Sequence, residues 1–123
     1  SLIYSVKYEG AKTFDWPIRL FGDYNAQTKE TKIVWETMTE LPYGDDWYYC
    51  IYRKGPKDKV ARFMTSVERD KMEFSDYRLS AGETAEYYIM IQYTDGRAST
   101  QSNTVKVTAP ERNENDEPQA TSK

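Results

Sequence analysis

The chain of 123 residues has no histidine and one cysteine, Cys50. The absence of histidine excludes a histidine-dependent catalytic triad and removes the commonest ligand of transition metals. A single cysteine excludes an internal disulfide and a zinc site made of thiolates, and it leaves the redox compartment open. Because no histidine is present to activate its thiol, Cys50 is not expected to be a nucleophile. We expect no cofactor.

The sequence also lacks long apolar runs and a charge excess of one sign. No stretch approaches the roughly 20 apolar residues that a membrane-spanning helix needs. The 20 acidic and 17 basic residues give a net charge of −3, which provides no electrostatic reason to expect nucleic acid as a partner. The length suits one domain with a core of its own.

Alternating apolar and polar residues, with a period of two, predict β-strands throughout. Five strands are predicted in the first part of the chain, at residues 18–24, 32–37, 47–54, 60–66 and 69–75. Two more strands are predicted at the runs 87–93 and 104–108. A two-residue hairpin turn at Asp95-Gly96 is predicted to join them. No segment of ten or more residues has a helical period. The pattern predicts an all-β, seven-stranded antiparallel sandwich of immunoglobulin-like type.

The composition at the two ends sets the expected domain boundaries. Residues 1–16 are interpreted as a linker or an extra N-terminal strand, and residues 17–110 as the domain. Residues 111–123 contain no large apolar side chain and cannot bury enough surface to offset the entropy of ordering. They are expected to form a disordered tail or a linker.

Aromatic and acidic residues surround the loop before the third strand. This segment is the candidate ligand-binding site, and it consists of Tyr43, Asp45, Asp46, Trp47 and Tyr48. Carboxylates beside aromatic rings could bind a carbohydrate or a protein, and together with Tyr24 and Tyr52 the rings could form an exposed patch. The alternative is a solvated turn in which the aspartates bond to nearby backbone.

The order of several short motifs resembles a fibronectin type III domain over roughly residues 16–110. They are Pro17 before the first strand, Trp35 in KIVW, the strand YYCIYRK, Leu79 and Gly82 before Tyr87-x-Ile89-x-Ile91, and DGRASTQSNTVKVTAP. The resemblance implies that the Tyr87 hydroxyl bonds to the backbone at the corner between the sheets. Eight residues separate Leu79 from Tyr87 where the family has about six, so either AGETAE contains an insertion or this bond is not made.

Strand alternation and the resemblance together give the expected core. Its members are Ile33, Trp35, Tyr49, Ile51, Leu79, Tyr87, Ile89, Ile91, Val105 and Val107. Trp35 is expected at the centre, between sheets about 10 Å apart. Cys50 lies on the opposite face of its strand and is expected to be exposed unless a neighbour covers it.

Three functions remain open at this point. The resemblance implies a non-catalytic, monomeric spacer or interaction module of a larger extracellular or cell-surface protein, like the versions in secreted bacterial proteins. Its partners would be neighbouring domains of the same chain. The second function is binding of a protein or polysaccharide by the candidate site. The third, an enzyme, would need two carboxyl groups facing each other across a cleft, and we expect no enzymatic activity.

Overall fold

A computed structural model describes residues 13–111, which form nine β-strands. The strands are β1 Thr13–Phe14, β2 Ile18–Asn25, β3 Glu30–Thr37, β4 Trp47–Lys54, β5 Arg62–Val67, β6 Glu73–Asp76, β7 Thr84–Tyr93, β8 Ala98–Ser99 and β9 Val105–Thr108. The described residues contain no helix, and therefore none that is long and apolar enough to cross a membrane.

The strands form two sheets. The large sheet has the order β1-β8-β7-β4-β5, with β9 also paired to β7, and the small sheet has the order β2-β3-β6. All pairs are antiparallel except β1 with β8. The predicted all-β sandwich is confirmed. The two-residue strands β1 and β8 are additions to the seven that the sequence pattern indicates.

The fifth predicted strand begins later than expected, at Glu73 rather than residue 69. The intervening residues form the connection from the large sheet to the small one. This connection begins with a turn in which the Lys71 amide donates to the Glu68 carbonyl. Trp35 then donates its amide to the Met72 carbonyl and brings the chain back to β3. The crossing between sheets therefore uses the residues that the alternation had assigned to a strand.

The C-terminal hairpin is longer than the predicted two-residue turn. The Tyr93 amide donates to the Arg97 carbonyl at 2.8 Å, and the Gly96 amide donates to the Tyr93 carbonyl at 3.0 Å. Gly96 has a φ of 102°, a backbone conformation that glycine adopts without strain. The turn thus has three residues between its paired ends, and the short strand β8 separates it from β9.

Two serine hydroxyls continue the pairing of β7 between β8 and β9. Ile91 donates its amide to Ser99 Oγ, and Ile89 donates its amide to Ser102 Oγ, each at 2.9 Å. Both serines are buried. Because an unpaired buried amide is costly, these hydroxyls allow the last strand to be interrupted without loss of backbone hydrogen bonds.

The core lies between the sheets. Of the expected core residues all are buried except Val105, which is partly buried. The ring of Trp35 on the small sheet packs edge-on against Tyr49 of the large sheet, with centroids 5.2 Å apart. Gly22 lies where a β-carbon would come within 3.1 Å of methyl groups of both Val105 and Val107, so a larger residue here would require these side chains to move.

The described fold begins before the predicted boundary at residue 17. Phe14 accepts a hydrogen bond at its carbonyl from the Thr100 amide, and the Trp16 amide donates to Thr100 Oγ1. Residues 13–16 thus pair with the large sheet and belong to the domain. Residues 1–12 of the predicted linker or strand and residues 112–123 of the predicted tail lie outside the described residues.

A side-chain amide also links the two sheets. Asn103, just before β9, accepts from the Leu20 amide with Oδ1 at 2.8 Å and donates to the Leu20 carbonyl with Nδ2 at 2.9 Å. Leu20 lies on β2, the edge strand of the small sheet. The amide group of Asn103 therefore takes the place of a neighbouring strand at this point, because it pairs both backbone groups that Leu20 directs out of the edge of the sheet.

Candidate functional site

Three loops meet at one end of the sandwich, and they contain the candidate site. They are residues 38–46, 68–72 and 94–97. Thr94 donates its amide to the Asp46 carbonyl at 3.0 Å, and Arg69 forms an ion pair with Asp45 at 3.1 Å. These contacts place the predicted residues beside two loops that the sequence analysis did not assign to the site.

Tyr43 presents the exposed aromatic ring of this loop end, with about half of its surface accessible (49%). Its amide donates to the Tyr93 hydroxyl at 3.0 Å, and that hydroxyl donates to the Gly44 carbonyl at 3.2 Å. The Arg97 guanidinium lies over the Tyr43 ring, 4.1 Å from the centroid, in cation–π geometry. The loop is therefore held from two sides, and the ring is fixed in place.

A second ring supports Tyr43 from the N-terminal strand. Phe14 contacts Tyr43 and Tyr93 edge-on, with centroids 5.5 and 5.9 Å away. Trp16 contacts Phe14 and donates its indole N–H to the Met38 carbonyl at 2.9 Å. Sequence reasoning missed both residues, although their i, i+2 spacing in TFDW indicates one face of a strand.

The interpretation of Trp47 as a ligand-binding residue is wrong. Trp47 is 5% exposed and packs in the core, with its ring 5.2 Å from that of Tyr49 and nearly perpendicular to it. It is the first residue of β4 and lies on the same face as Tyr49 and Ile51. A residue that is 5% exposed offers no free ring face on which a ligand could stack.

The remaining candidate residues are accessible but do not converge. The Asp45 side chain is 79% exposed, and Asp46 is also exposed. Tyr48 is half-buried on the outer side of β4, where it lines a groove of about 390 Å³ with Trp47, Glu68, Arg69 and Asp70. Within residues 13–111, no three Asp, Glu or Cys side chains are placed to bind a metal ion.

The expected aromatic patch is divided among three surfaces. Tyr43 lies at the loop end, and Tyr24 packs against the core from the small sheet. Tyr52 lies on the outer face of the large sheet and stacks on Tyr88, with centroids 4.9 Å apart and planes 10° from parallel. The single patch predicted from sequence proximity is therefore wrong, because alternation sends neighbouring residues of β4 to opposite faces.

A cluster of polar side chains centred on a buried carboxylate joins the two sheets. The Asp76 carboxylate of β6, 6% exposed, forms ion pairs with Arg53 Nε at 2.9 Å and Arg78 Nε at 3.0 Å. The Tyr87 hydroxyl donates to the same carboxylate at 2.7 Å and accepts from Arg53 Nε at 3.2 Å. Tyr87 thus bonds to a side chain on the small sheet instead of the backbone contact that the resemblance implies.

Electrostatics identify this cluster as structural. Burial opposes ionisation of Asp76, but hydrogen bonds from Tyr87 and Arg78 and the charges of Arg78 and Arg53 outweigh it, so the pKa of Asp76 is lowered. Burial and the bond to Asp76 raise the pKa of Tyr87 to about 12. The carboxylate stays ionised and the phenol stays protonated near neutral pH, which suits a fixed ion pair and not proton transfer.

Cys50 is buried, not exposed. It is 2% accessible, and its thiol contacts Gln92 Oε1 at 3.3 Å. Burial raises the pKa of the thiol to about 11. The thiolate, which is the reactive form, is therefore scarce at neutral pH in the folded chain.

No family model and no curated protein matches this sequence. Solved structures do match. A Fn3-like protein from Clostridium thermocellum is 12% identical with a TM-score of 0.56, over 80% of this chain and 94% of that chain. The twitchin kinase region from C. elegans is 17% identical with a TM-score of 0.60, over 79% of this chain and 17% of its own length.

A third similar structure is the fibronectin type-III domain of human fibronectin type III domain containing protein 3. It is 12% identical with a TM-score of 0.55, over 76% of this chain and 80% of that chain. The identities are low, so the likeness concerns the arrangement of strands and not a ligand or an activity. With the two sheets and the core described above, the chain has the fold of a fibronectin type III domain.

Proposed function

We propose that this chain is a non-catalytic module that holds neighbouring domains of a larger protein at a fixed separation. The observation that supports it most is the position of the two ends. Phe14 enters beside Tyr93 at one end of β7, and Glu111 leaves beside Gly82 at the other. Ten residues of β7 span roughly 30 Å at about 3.3 Å per residue. Domains attached to the two ends would be held apart by the length of the sandwich.

The occurrence of this fold in other proteins supports the same proposal. It makes up nearly the whole of the Fn3-like protein and only 17% of the twitchin kinase region. A fold that serves both alone and as one segment suits a module whose core is complete in itself.

Independent folding and separation are the properties to measure. Residues 13–111 expressed alone should unfold in one cooperative transition, at the same temperature as the full chain within a few degrees. The module placed between two fluorescent proteins should then keep them apart by roughly its own length in energy-transfer measurements. A fragment that does not fold alone, or fluorescent proteins that approach each other freely, would refute the spacer function.

A second function, binding of a carbohydrate or a protein at the loop end, is favoured by one observation. The Tyr43 ring is exposed yet fixed by Arg97 and Tyr93, so little side-chain entropy would be lost on binding. Titration with oligosaccharides should then perturb the NMR signals of Tyr43, and Tyr43→Ala should abolish the effect. Tyr77→Ala, which removes a tyrosine elsewhere that is more exposed than Tyr43 (62% against 49%), is the control. Unchanged spectra at millimolar sugar would eliminate carbohydrate binding.

We further propose an extracellular or cell-surface location for the parent protein. The support is the sequence resemblance to modules of secreted bacterial proteins. Protease treatment of intact cells that produce the parent protein should remove the module, and protection from protease until the cells are lysed would contradict this location.

A further inference from the structure

The outer face of the large sheet carries an uncharged surface. The strand registers place Phe63, Tyr52 and Tyr88 in one row across β5, β4 and β7. Ser66, Cys50 and Met90 form the next row, and Tyr48 and Gln92 the one after it. We call the accessible residues of this set the outer patch: Tyr48, Tyr52, Phe63, Ser66, Tyr88, Met90 and Gln92. Cys50 lies in the middle row but is buried.

The outer patch has the composition of a protein interface. In a chain with 30% charged residues it contains no charge, and it combines tyrosine, phenylalanine and methionine, the residues enriched in interface centres. Phe63 is 57% exposed at its edge. The outer face of the small sheet differs, because Phe21 is surrounded there by Arg19, Asp23, Lys32 and Glu36.

The ring geometry disfavours a sugar as the occupant. Tyr52 and Tyr88 stack on each other with nearly parallel planes, and Phe63 meets Tyr52 edge-on at 5.9 Å. The facing sides of the Tyr52 and Tyr88 rings thus cover each other and are closed to a sugar. What the patch offers to solvent are ring edges, hydroxyl groups, a thioether and an amide, which suit another protein surface.

Charges at the two ends of the outer patch have opposite sign. Lys54, Glu86 and Lys106 form the row beyond Phe63, Tyr52 and Tyr88, with two cations to one anion. At the other end, Glu68 and Asp70 line the groove beside Tyr48, where Arg69 is already paired with Asp45. The basic row lies about 14 Å from Cys50 along β4, four residues at about 3.4 Å each.

We infer that the outer patch binds a second copy of this chain face to face about a two-fold axis. The axis would pass near Cys50 and Met90, so that the two uncharged patches meet. The same rotation brings Lys106 of each copy to the side where Asp70 of the other copy lies, and like charges are kept apart. A contact limited to this patch is small, so the proposed dimer belongs to the class of weak, transient interfaces.

Sedimentation velocity over a concentration series tests the dimer. Wild-type protein should shift from monomer to dimer as its concentration is raised towards the millimolar range, because small interfaces of this kind associate weakly. Phe63→Ser should weaken the association at least about tenfold. Phe21→Ser, which removes an exposed phenylalanine from the other sheet (40%), should leave it unchanged. Circular dichroism checks that both variants are folded.

A charge exchange tests the two-fold geometry. Lys106→Glu alone and Asp70→Lys alone should each weaken the dimer, because each places like charges together at two symmetric contacts. An equimolar mixture of the two variants should associate as well as wild type, since every contact then joins opposite charges. A chain that stays monomeric at millimolar concentration, a dimer lost in Phe21→Ser but not in Phe63→Ser, or a mixture that fails to associate would each overturn the inference.

Discussion

Replacing Asp76 by alanine removes the acceptor that joins the two sheets through Arg53 and Tyr87. Asp76 is 6% exposed and the Arg53 side chain 12%, so the variant leaves a nearly buried guanidinium without its nearest counter-charge. It also leaves the Tyr87 hydroxyl without the acceptor that lies 2.7 Å away. Breaking a buried ion pair from one side costs about 3–5 kcal/mol. The free energy of unfolding should fall by that amount.

Urea denaturation followed by tryptophan fluorescence measures the loss. A fall of this size should lower the melting temperature by on the order of 15 °C or more for a domain of about 100 residues. Asp45→Ala is the matched control, because it removes an ion pair with Arg69 at a similar distance in an exposed setting. Such a pair is worth about 0–1 kcal/mol.

The pH dependence gives a second readout for the same carboxylate. The pKa of Asp76 is lowered in the folded chain, so its contribution is complete above the ordinary pKa of an aspartate and disappears as pH falls through the lowered value. The difference in stability between wild type and Asp76→Ala should therefore shrink in acid. A variant within about 1 kcal/mol of wild type at pH 7, or one no worse than Asp45→Ala, would refute the assigned role.

Three further predictions concern the core and the edge of the sandwich. Trp35→Ala should cost about 3–5 kcal/mol, measured by urea denaturation, since it empties the centre of the core; near-normal stability would contradict its central position. Asn103→Ala should lower the free energy of unfolding by about 1–3 kcal/mol and speed hydrogen exchange at the Leu20 amide, because both backbone groups of Leu20 lose their partner. Exchange as slow as in wild type would show that the two hydrogen bonds from Asn103 are dispensable. Folding raises the pKa of Cys50 to about 11 and that of Tyr87 to about 12. The stability that these two groups contribute is therefore fully present below their ordinary pKa values and is lost as pH rises from the ordinary values to the raised ones. Cys50→Ala should lessen the fall that begins near pH 9, and an unchanged alkaline profile would exclude the thiol as its cause.

The sequence predicted the strands well where alternation is strong. The third predicted strand, Trp47–Lys54, has the bounds that the structure gives it. The same alternation contained the correct position of Trp47, since it shares the face of Tyr49 and Ile51. Its neighbours Asp45 and Asp46 in the loop led instead to its assignment as a ligand-binding residue. The alternation of the strand therefore indicated that Trp47 is buried, and grouping it with the loop residues because they are adjacent in sequence was wrong.

Other features had no local signal. Asp76 is one of many carboxylates in the sequence, and its burial depends on Arg53 and Tyr87, which come from strands of the other sheet. Cys50 is covered because Gln92 of the neighbouring strand lies beside it. Phe14 and Tyr43 meet only because β1 pairs with β8 near the loop end.

The sequence by itself determined the strands, most of the core and the class of fold, because a period of two is a local property that each strand carries on its own. Only the tertiary structure decided which residues meet, namely the ion cluster of Asp76, the enclosure of Trp47 and the row formed by Phe63, Tyr52 and Tyr88. Strand order and register arise from pairing between distant segments, and one residue of slip reverses every face.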